Sequence, residues 1–364
     1  MVFLTLFGIP LLLILANMIL GRDKVTFKEF ILQMTIQAVV AGISCGVVYW
    51  SNTDDVEIHN GRVAQKTREE VSCSHSYSCN CREVCSGSGK DQSCYTHCDT
   101  CYYHSYDVDW NVQTTNNERL EIERVDWQGL TQPPRWTSTV VGEPTSLQHS
   151  YVNYIKASPD TLFRHQGLIE KYQSSIPGYP IGVYDYYRLD RLVQVNVNVP
   201  DASLWNSDLS QLNGNLGSQK QVNAVVVLVK DQPREYFYAL EQAWIGAKKN
   251  DVVLVISVSG DTTIQWADIM AWTDNALFKV KLRDDVLEIG SLNREAIIKA
   301  LSGNITTLYK RKHMRDFQYL QASITPTTGQ WLAALIFGIL ACIGTSIYVV
   351  QNDVFGDHRH RYNW

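Results

Sequence analysis

CSHSYSCNCREVCSGSGKDQSCYTHCDTCYYH, residues Cys73–His104, holds seven of the nine cysteines of this 364-residue chain. His75, His97 and His104 are interleaved with them, and Val84 is the segment's only aliphatic side chain. A stretch like this has too little apolar surface for a core of its own and must be held by disulfides or by a metal. Gly87-Ser88-Gly89 marks a turn, with Cys73, Cys79, Cys81 and Cys85 before it and Cys94, Cys98 and Cys101 after it. Zinc takes four thiolate or imidazole ligands in a tetrahedron. Cys79-x-Cys81-x3-Cys85 with Cys73 or His75 would supply one such set, and Cys94-x3-Cys98-x2-Cys101-x2-His104 a second, for one or two ions. Disulfides are the alternative in an oxidising compartment. Seven is odd, so one thiol would then stay free, pair between chains or bind something. Nothing nearby supplies the base and orienting group that a catalytic thiol requires.

Three uncharged apolar runs frame the rest: Val2–Leu20, Phe30–Trp50 and Trp331–Val350. Each is about the length that crosses a hydrocarbon core of roughly 30 Å as a helix. The first lacks a basic leader and is long for the apolar stretch of a signal peptide, so it is expected as an anchor. Small residues recur at every fourth position of the second run (Ala38, Gly42, Gly46) and the third (Ala334, Gly338, Cys342, Ser346), a spacing that lets helices approach closely. Cys45 and Cys342 lie inside these runs. Arg22, Lys24 and Lys28 in the short first loop, with Arg359 and Arg361 in the tail, favour the cytoplasm for both and the large central region outside. Lys310, Arg311, Lys312 and Arg315 argue the other way, and also form a basic patch suited to lipid phosphates. The net charge of −5 gives no reason to expect nucleic acid as a partner.

Ser51–Ser72 is polar and reads as a stalk. Beyond the cysteines, Tyr106, Val108, Trp110 and Val112 alternate on one strand face, Leu120 and Ile122 on another, and Thr114–Asn117 turns between them as a β-hairpin. From residue 146 the pattern becomes layered. Helices are expected over Thr161–Gln173, from Asp201 or Ser203 to Leu212, over Glu235–Lys249, and from Ser291 along the Ile297, Leu301, Ile305 and Leu308 stripe. Strands are expected at Val193–Val199, Val222–Val229, Val252–Val258, Trp266–Trp272 and Leu277–Leu282, the second and third being rich in β-branched residues on both faces, as strands buried on both faces are. The expected fold class is an α+β membrane protein with three transmembrane helices, a Cys-rich stapled module with a β-hairpin, and an α/β layered domain. Its divisions are a two-helix anchor over 1–50, the stalk, module and hairpin over 51–145, the layered domain over 146–328, and the third span with a short tail over 329–364.

Two resemblances add to this. YSCNCREVCSGSG, CDTCYYHSYDVDW and HSYVNYIKASPDTLF are similar to strings in a family of tailed-phage membrane proteins, and that likeness would span most of the chain. It implies a bacterial inner membrane and assigns no activity. Over roughly Leu209–Leu320, Ala243-Trp244-Ile245-Gly246-Ala247-Lys248-Lys249-Asn250-Asp251 followed by VVLVIS resembles the central motif of TPM domains. This implies an extracytoplasmic α/β module anchored by a following helix, with phosphatases and membrane-complex assembly factors among its members. Valine stands where that family usually carries glycine after the aspartate.

The acids Asp251 and Asp261 are the candidates for catalysis, Asp261 in the loop Ser259-Gly260-Asp261-Thr262 beyond a buried strand. Phosphate-binding, dinucleotide, nucleophile-elbow and zinc-protease motifs are absent from the sequence. The expected function is a membrane-anchored interaction or assembly factor with a large periplasmic domain, a membrane or envelope protein as partner, and a homo-oligomer through the small-residue faces. The alternatives are a metal-dependent phosphate-ester hydrolase and a cytoplasm-facing adaptor built on zinc.

Overall fold

The computed structural model describes residues 2–20, 25–87, 93–158, 167–260, 262–352 and 354–355. Arg22, Lys24, Arg359 and Arg361, the centre of the expected turn at Ser88-Gly89, the first part of the expected Thr161–Gln173 helix, and Asp261 lie outside the described residues. In chain order the helices are α1 (Val2–Leu20), α2 (Phe27–Thr53), α3 (Ala202–Lys220), α4 (Glu235–Ala243), α5 (Ala276–Ile289), α6 (Arg294–Leu308) and α7 (Thr328–Gln351), with shorter turns unlabelled. The strands are β1 (Asp54–Val71), β2 (Ser76–Ser86), β3 (Ser93–Tyr102), β4 (Asp107–Thr114), β5 (Arg119–Ile122) and β6 (Pro144–Val152). They continue with β7 (Leu192–Val195), β8 (Asn223–Lys230), β9 (Asp251–Ser259) and β10 (Thr263–Ala271). The chain divides into two compact units, one comprising Met1–Val56, Ser150–Gln166 and His313–Trp364, the other Glu57–His149 and Gly167–Lys312.

In the first unit α1, α2 and α7 pack against one another. Capping boxes open two of them. Thr26 Oγ1 accepts the Glu29 N–H while the Glu29 carboxylate accepts that of Thr26, and Thr327 and Gln330 repeat the exchange at α7. Among the described residues two helices, Phe27–Thr53 and Thr328–Gln351, are long and apolar enough to cross a membrane, rather than the three expected. Of the small-residue positions, Gly338 is a close contact: a Cβ there would lie 3.2 Å from Gln37 Nε2 and 3.7 Å from Pro10. Gly42 and Gly46 face open space instead.

The layered core occupies the second unit. β7, β8 and β9 run parallel and β10 closes the edge antiparallel, in the order β10-β9-β8-β7. Alternation sorts the side chains of the two central strands. Val226, Leu228, Leu254 and Ile256 meet Trp205, Leu209, Phe278, Leu282, Leu301 and Ile305 from α3, α5 and α6. Val225, Val227, Val253 and Val255 meet Tyr236, Phe237 and Leu240 of α4 on the opposite face. Each such side chain contributes about 1.5–3 kcal/mol by leaving water, which is why both faces of these strands' central stretches, Ala224–Val229 and Val252–Ile256, are apolar.

Leu277–Leu282 is helical, not a strand. Asn275 caps it by accepting the Leu277 N–H, and Phe278, Leu282 and Val286 are buried at a four-residue spacing. Residues 54–71, read as part of a stalk, form β1, central in a second sheet ordered β5-β4-β1-β6. The hairpin β4–β5 forms as expected, with Val112 opposite Leu120.

Candidate metal centre

The cysteine-rich segment is neither of the two knots that its spacing suggested. It is one antiparallel ribbon in which Tyr77 faces Cys101, Arg82 faces His97 and Cys85 faces Cys94. Every side chain along it is exposed or half-buried, so packing cannot hold it. Three disulfides do: Cys79–Cys101, Cys81–Cys98 and Cys85–Cys94, with Cα separations of 5.8, 3.9 and 4.0 Å. Both expected zinc sets are thereby overturned, because their cysteines are bonded to partners across the ribbon rather than gathered around an ion. Three disulfides also indicate an oxidising, extracytoplasmic setting for this unit.

Cys73 is the odd thiol, and it is buried. It sits at the ribbon's root beside His75, His104 and Asp107, and one ligand atom from each lies within 4.8 Å of the others. Cys73 Sγ is 3.6 Å from His104 Nδ1, and that same nitrogen is 3.1 Å from Asp107 Oδ1. His75 Nδ1 is 3.6 Å from Asp107 Oδ2. Asp107 is fully buried, which alone would raise its carboxyl. Hydrogen bonds from the Ser74 N–H, Arg124, His104 and Cys73 outweigh this and hold it well below the usual carboxylate range. Arg124 Nη1 donates to Asp107 Oδ2 at 2.8 Å. The Trp127 ring covers both imidazoles, its centroid 4.4 Å from that of His75 and 5.4 Å from that of His104.

This is not a nucleophile relay. A relay needs thiol and carboxylate on opposite ring nitrogens, so that a proton taken at one is balanced at the other. Here both approach Nδ1 of His104. One thiolate, two imidazoles and a carboxylate instead make a donor set that transition metals accept.

Two other clusters hold the ligand types without the chemistry. His59 bonds Glu118 at 2.9 Å and Glu57 at 3.3 Å, and these two carboxylates push its imidazole up to about 9. Protonated, it offers no lone pair, and Lys249 already neutralises Glu57 at 3.0 Å. Glu83, Cys85 and Cys94 group together as well, but both sulfurs belong to a disulfide.

Of the catalytic candidates, Asp251 opens β9 at the edge where the parallel strands begin, opposite to where such sheets place their ligands. It is fully buried, and burial pushes its carboxyl up to about 6 although Tyr179 Oη, Asn223 Nδ2 and the Lys248 N–H all donate to it. Beside it runs a buried polar chain in which Arg191 donates to Asn223 and Leu189, and Asn60 donates to Asn223 and Val222. That setting is structural.

The basic residues after α6 are engaged or solvated. Lys310 Nζ is 3.6 Å from Asp274, Arg311 donates to Gln221, the Lys312 N–H donates to Trp272, and Arg315 is exposed 4.0 Å from Asp316. The sequence reading missed Asp107 as a member of the cysteine site. No family model, curated protein or solved structure matches the chain.

Proposed function

We propose that this chain is a membrane-anchored, extracytoplasmic binding module that presents its disulfide ribbon to a protein partner of the membrane or envelope. One observation carries the reading. Tyr77, Tyr103 and Trp127 stack in a continuous line, with centroids 4.7 and 5.0 Å apart, yet remain 44%, 54% and 54% exposed. Aromatic rings leave water when they can, and rigid exposed ones anchor protein interfaces at little entropic cost. Tyr95 and Tyr102 extend the exposed aromatic surface along β3. The covalent rungs keep this arm stiff, so less ordering is lost on docking.

On the two resemblances, the membrane is a bacterial inner membrane and the disulfide-bearing unit is periplasmic, with a TPM-like layered core behind the ribbon. Zinc enters this reading as a structural ion at the ribbon's root. A phosphate-ester hydrolase would draw on Asp251, whose burial among hydrogen-bond donors gives it no substrate-facing position.

The test is photo-crosslinking in native membranes from a reactive amino acid placed at Tyr77 or Tyr103. One and the same protein should be captured from both positions, and capture should fall at least tenfold in Trp127→Ser or after reduction. Capture that differs between the two positions, or that survives reduction unchanged, would remove the ribbon from the interface.

A further inference from the structure

We infer that Cys73 Sγ, His75 Nδ1, His104 Nδ1 and the Asp107 carboxylate ligate a single divalent transition-metal ion, zinc being the one this donor set suits, and that the ion clamps the root of the ribbon. The inference rests on the binding-module reading only for the ion's purpose; the ion itself is measured without any partner.

Distances bring the four donors within reach of one ion. Zinc arms of 2.0–2.1 Å to nitrogen or oxygen and 2.3 Å to sulfur place neighbouring ligand atoms about 3.3–3.6 Å apart. The observed separations are 3.6 Å for Cys73 Sγ to His104 Nδ1, 3.1 Å for His104 Nδ1 to Asp107 Oδ1 and 3.6 Å for His75 Nδ1 to Asp107 Oδ2, with one donor atom from each of the four within 4.8 Å of the others. Hydrogen bonds also join the cluster, from Cys73 Sγ to the His75 carbonyl oxygen and between Ser74 Oγ and His75 Nδ1, both at 3.4 Å, but they leave one crowded atom. Nδ1 of His104 carries either one proton or one lone pair in its ring plane, and it is approached by both a thiol and a carboxylate. An ion at the common centre uses that lone pair once and the other donors independently.

The surroundings have the form that metal sites take. Ser74, through both its backbone N–H and its hydroxyl, and Arg124 hold the Asp107 carboxylate in place. Trp127 walls off the imidazoles.

Topology gives the ion its purpose. Cys73 lies two residues beyond the end of β1 and His75 immediately before β2; His104 lies two residues beyond β3 and Asp107 opens β4. The four ligands therefore lie at the two connections between sheet and ribbon, Cys73 and His75 between β1 and β2, His104 and Asp107 between β3 and the start of β4. The innermost of the three disulfides lies at the far end of the ribbon, whereas the ion would join its root to the β1–β4 sheet. Bound as a zinc thiolate, Cys73 would also be withheld from exchange with the adjacent disulfides.

The experiment uses the full chain in detergent, with its three disulfides confirmed by peptide mapping, stripped with chelator and dialysed against zinc alone. The expected result is one zinc per chain, lost in Cys73→Ser and in His104→Ala but retained in His149→Ala. Cobalt in place of zinc should give a thiolate-to-metal absorption that disappears in Cys73→Ser. No bound zinc in the wild-type chain, or equal binding by Cys73→Ser, would overturn the site. Loss in His149→Ala alone would move the ion to the Glu57 cluster and overturn it equally.

Discussion

Reducing the three disulfides should open the ribbon and leave the layered core standing. The ribbon has no buried face to fall back on, and a two-stranded hairpin alone is marginal in water. The bridges close loops with sequence separations of 22, 17 and 9. Taken singly, the chain-entropy relation gives about 3.4 kcal/mol for the outermost and about 2.6 kcal/mol for the innermost. They are nested, so the values do not add; with the inner bridges closed, the outer one constrains only a few further residues. About 3 kcal/mol is therefore the minimum lost when all three are cut, which corresponds to protection falling on the order of a hundredfold. The assay is amide hydrogen exchange by mass spectrometry on peptides from β2 and β3, before and after reduction, with peptides from β8 and β9 as internal reference. The reference strands should not change, since their stability comes from apolar burial on both faces. Ribbon protection that stays within about threefold of its oxidised value would refute the reasoning and point to side-chain packing as the support.

Asp251 should make the layered core less stable as pH rises. Its folded-state carboxyl is pushed up to about 6, so its contribution is fully present below about pH 4 and lost as pH passes through 6. That amounts to on the order of 3 kcal/mol. Exchange protection of β8 and β9 measured from pH 4 to 7 should fall over this window in the wild type and stay flatter in Asp251→Asn; equal slopes would reject the assignment. Gly217→Ala should destabilise by about 1–3 kcal/mol, because its Cβ would lie 2.2 Å from the Asn60 carbonyl oxygen, in contact with backbone that cannot swing away. Gly303→Ala, facing open space within α6, should instead stabilise by about 0.5–1 kcal/mol, and urea melts of both variants followed by tryptophan fluorescence will show whether the signs are opposite. A membrane-impermeant maleimide added to intact cells should label Cys79–Cys101 only after reduction. Labelling that appears only on lysis would put this unit in the cytoplasm.

The layered core was legible because its strands announce themselves. Val222–Val229 and Val252–Val258 are β-branched runs bounded by polar residues, and a strand buried on both faces is the arrangement that satisfies every position. Leu277–Leu282 was misread for the converse reason. Six residues are too few to separate a two-residue from a four-residue period, and the decisive signals lie outside the window: the cap at Asn275 and the buried Val286. The polar character of 54–71 concealed β1, because several of its inward positions, Asp55, Glu57 and Asn60, are themselves polar. Asn60 is satisfied there by side chains and carbonyls far away in sequence, contacts that no local pattern records.

The cysteine site is a different case, because its register was present in the sequence and was read with the wrong symmetry. Grouping neighbours suggested two knots, whereas an antiparallel ribbon pairs residues equidistant from its turn. The three disulfides are all centred close to position 90. His75 with His104 and Cys73 with Asp107 are nearly equidistant from the same position; the backbone register itself sets Tyr103 beside His75 and Asp107 opposite Val71, and the four side chains meet at the root. The seventh cysteine is therefore odd only as a cysteine. Its neighbour at the root is a carboxylate, which can share an ion with a thiolate but cannot form a bond to it. The hairpin that brings the sulfurs together for oxidation thus also returns the chain to its root, where these four side chains converge.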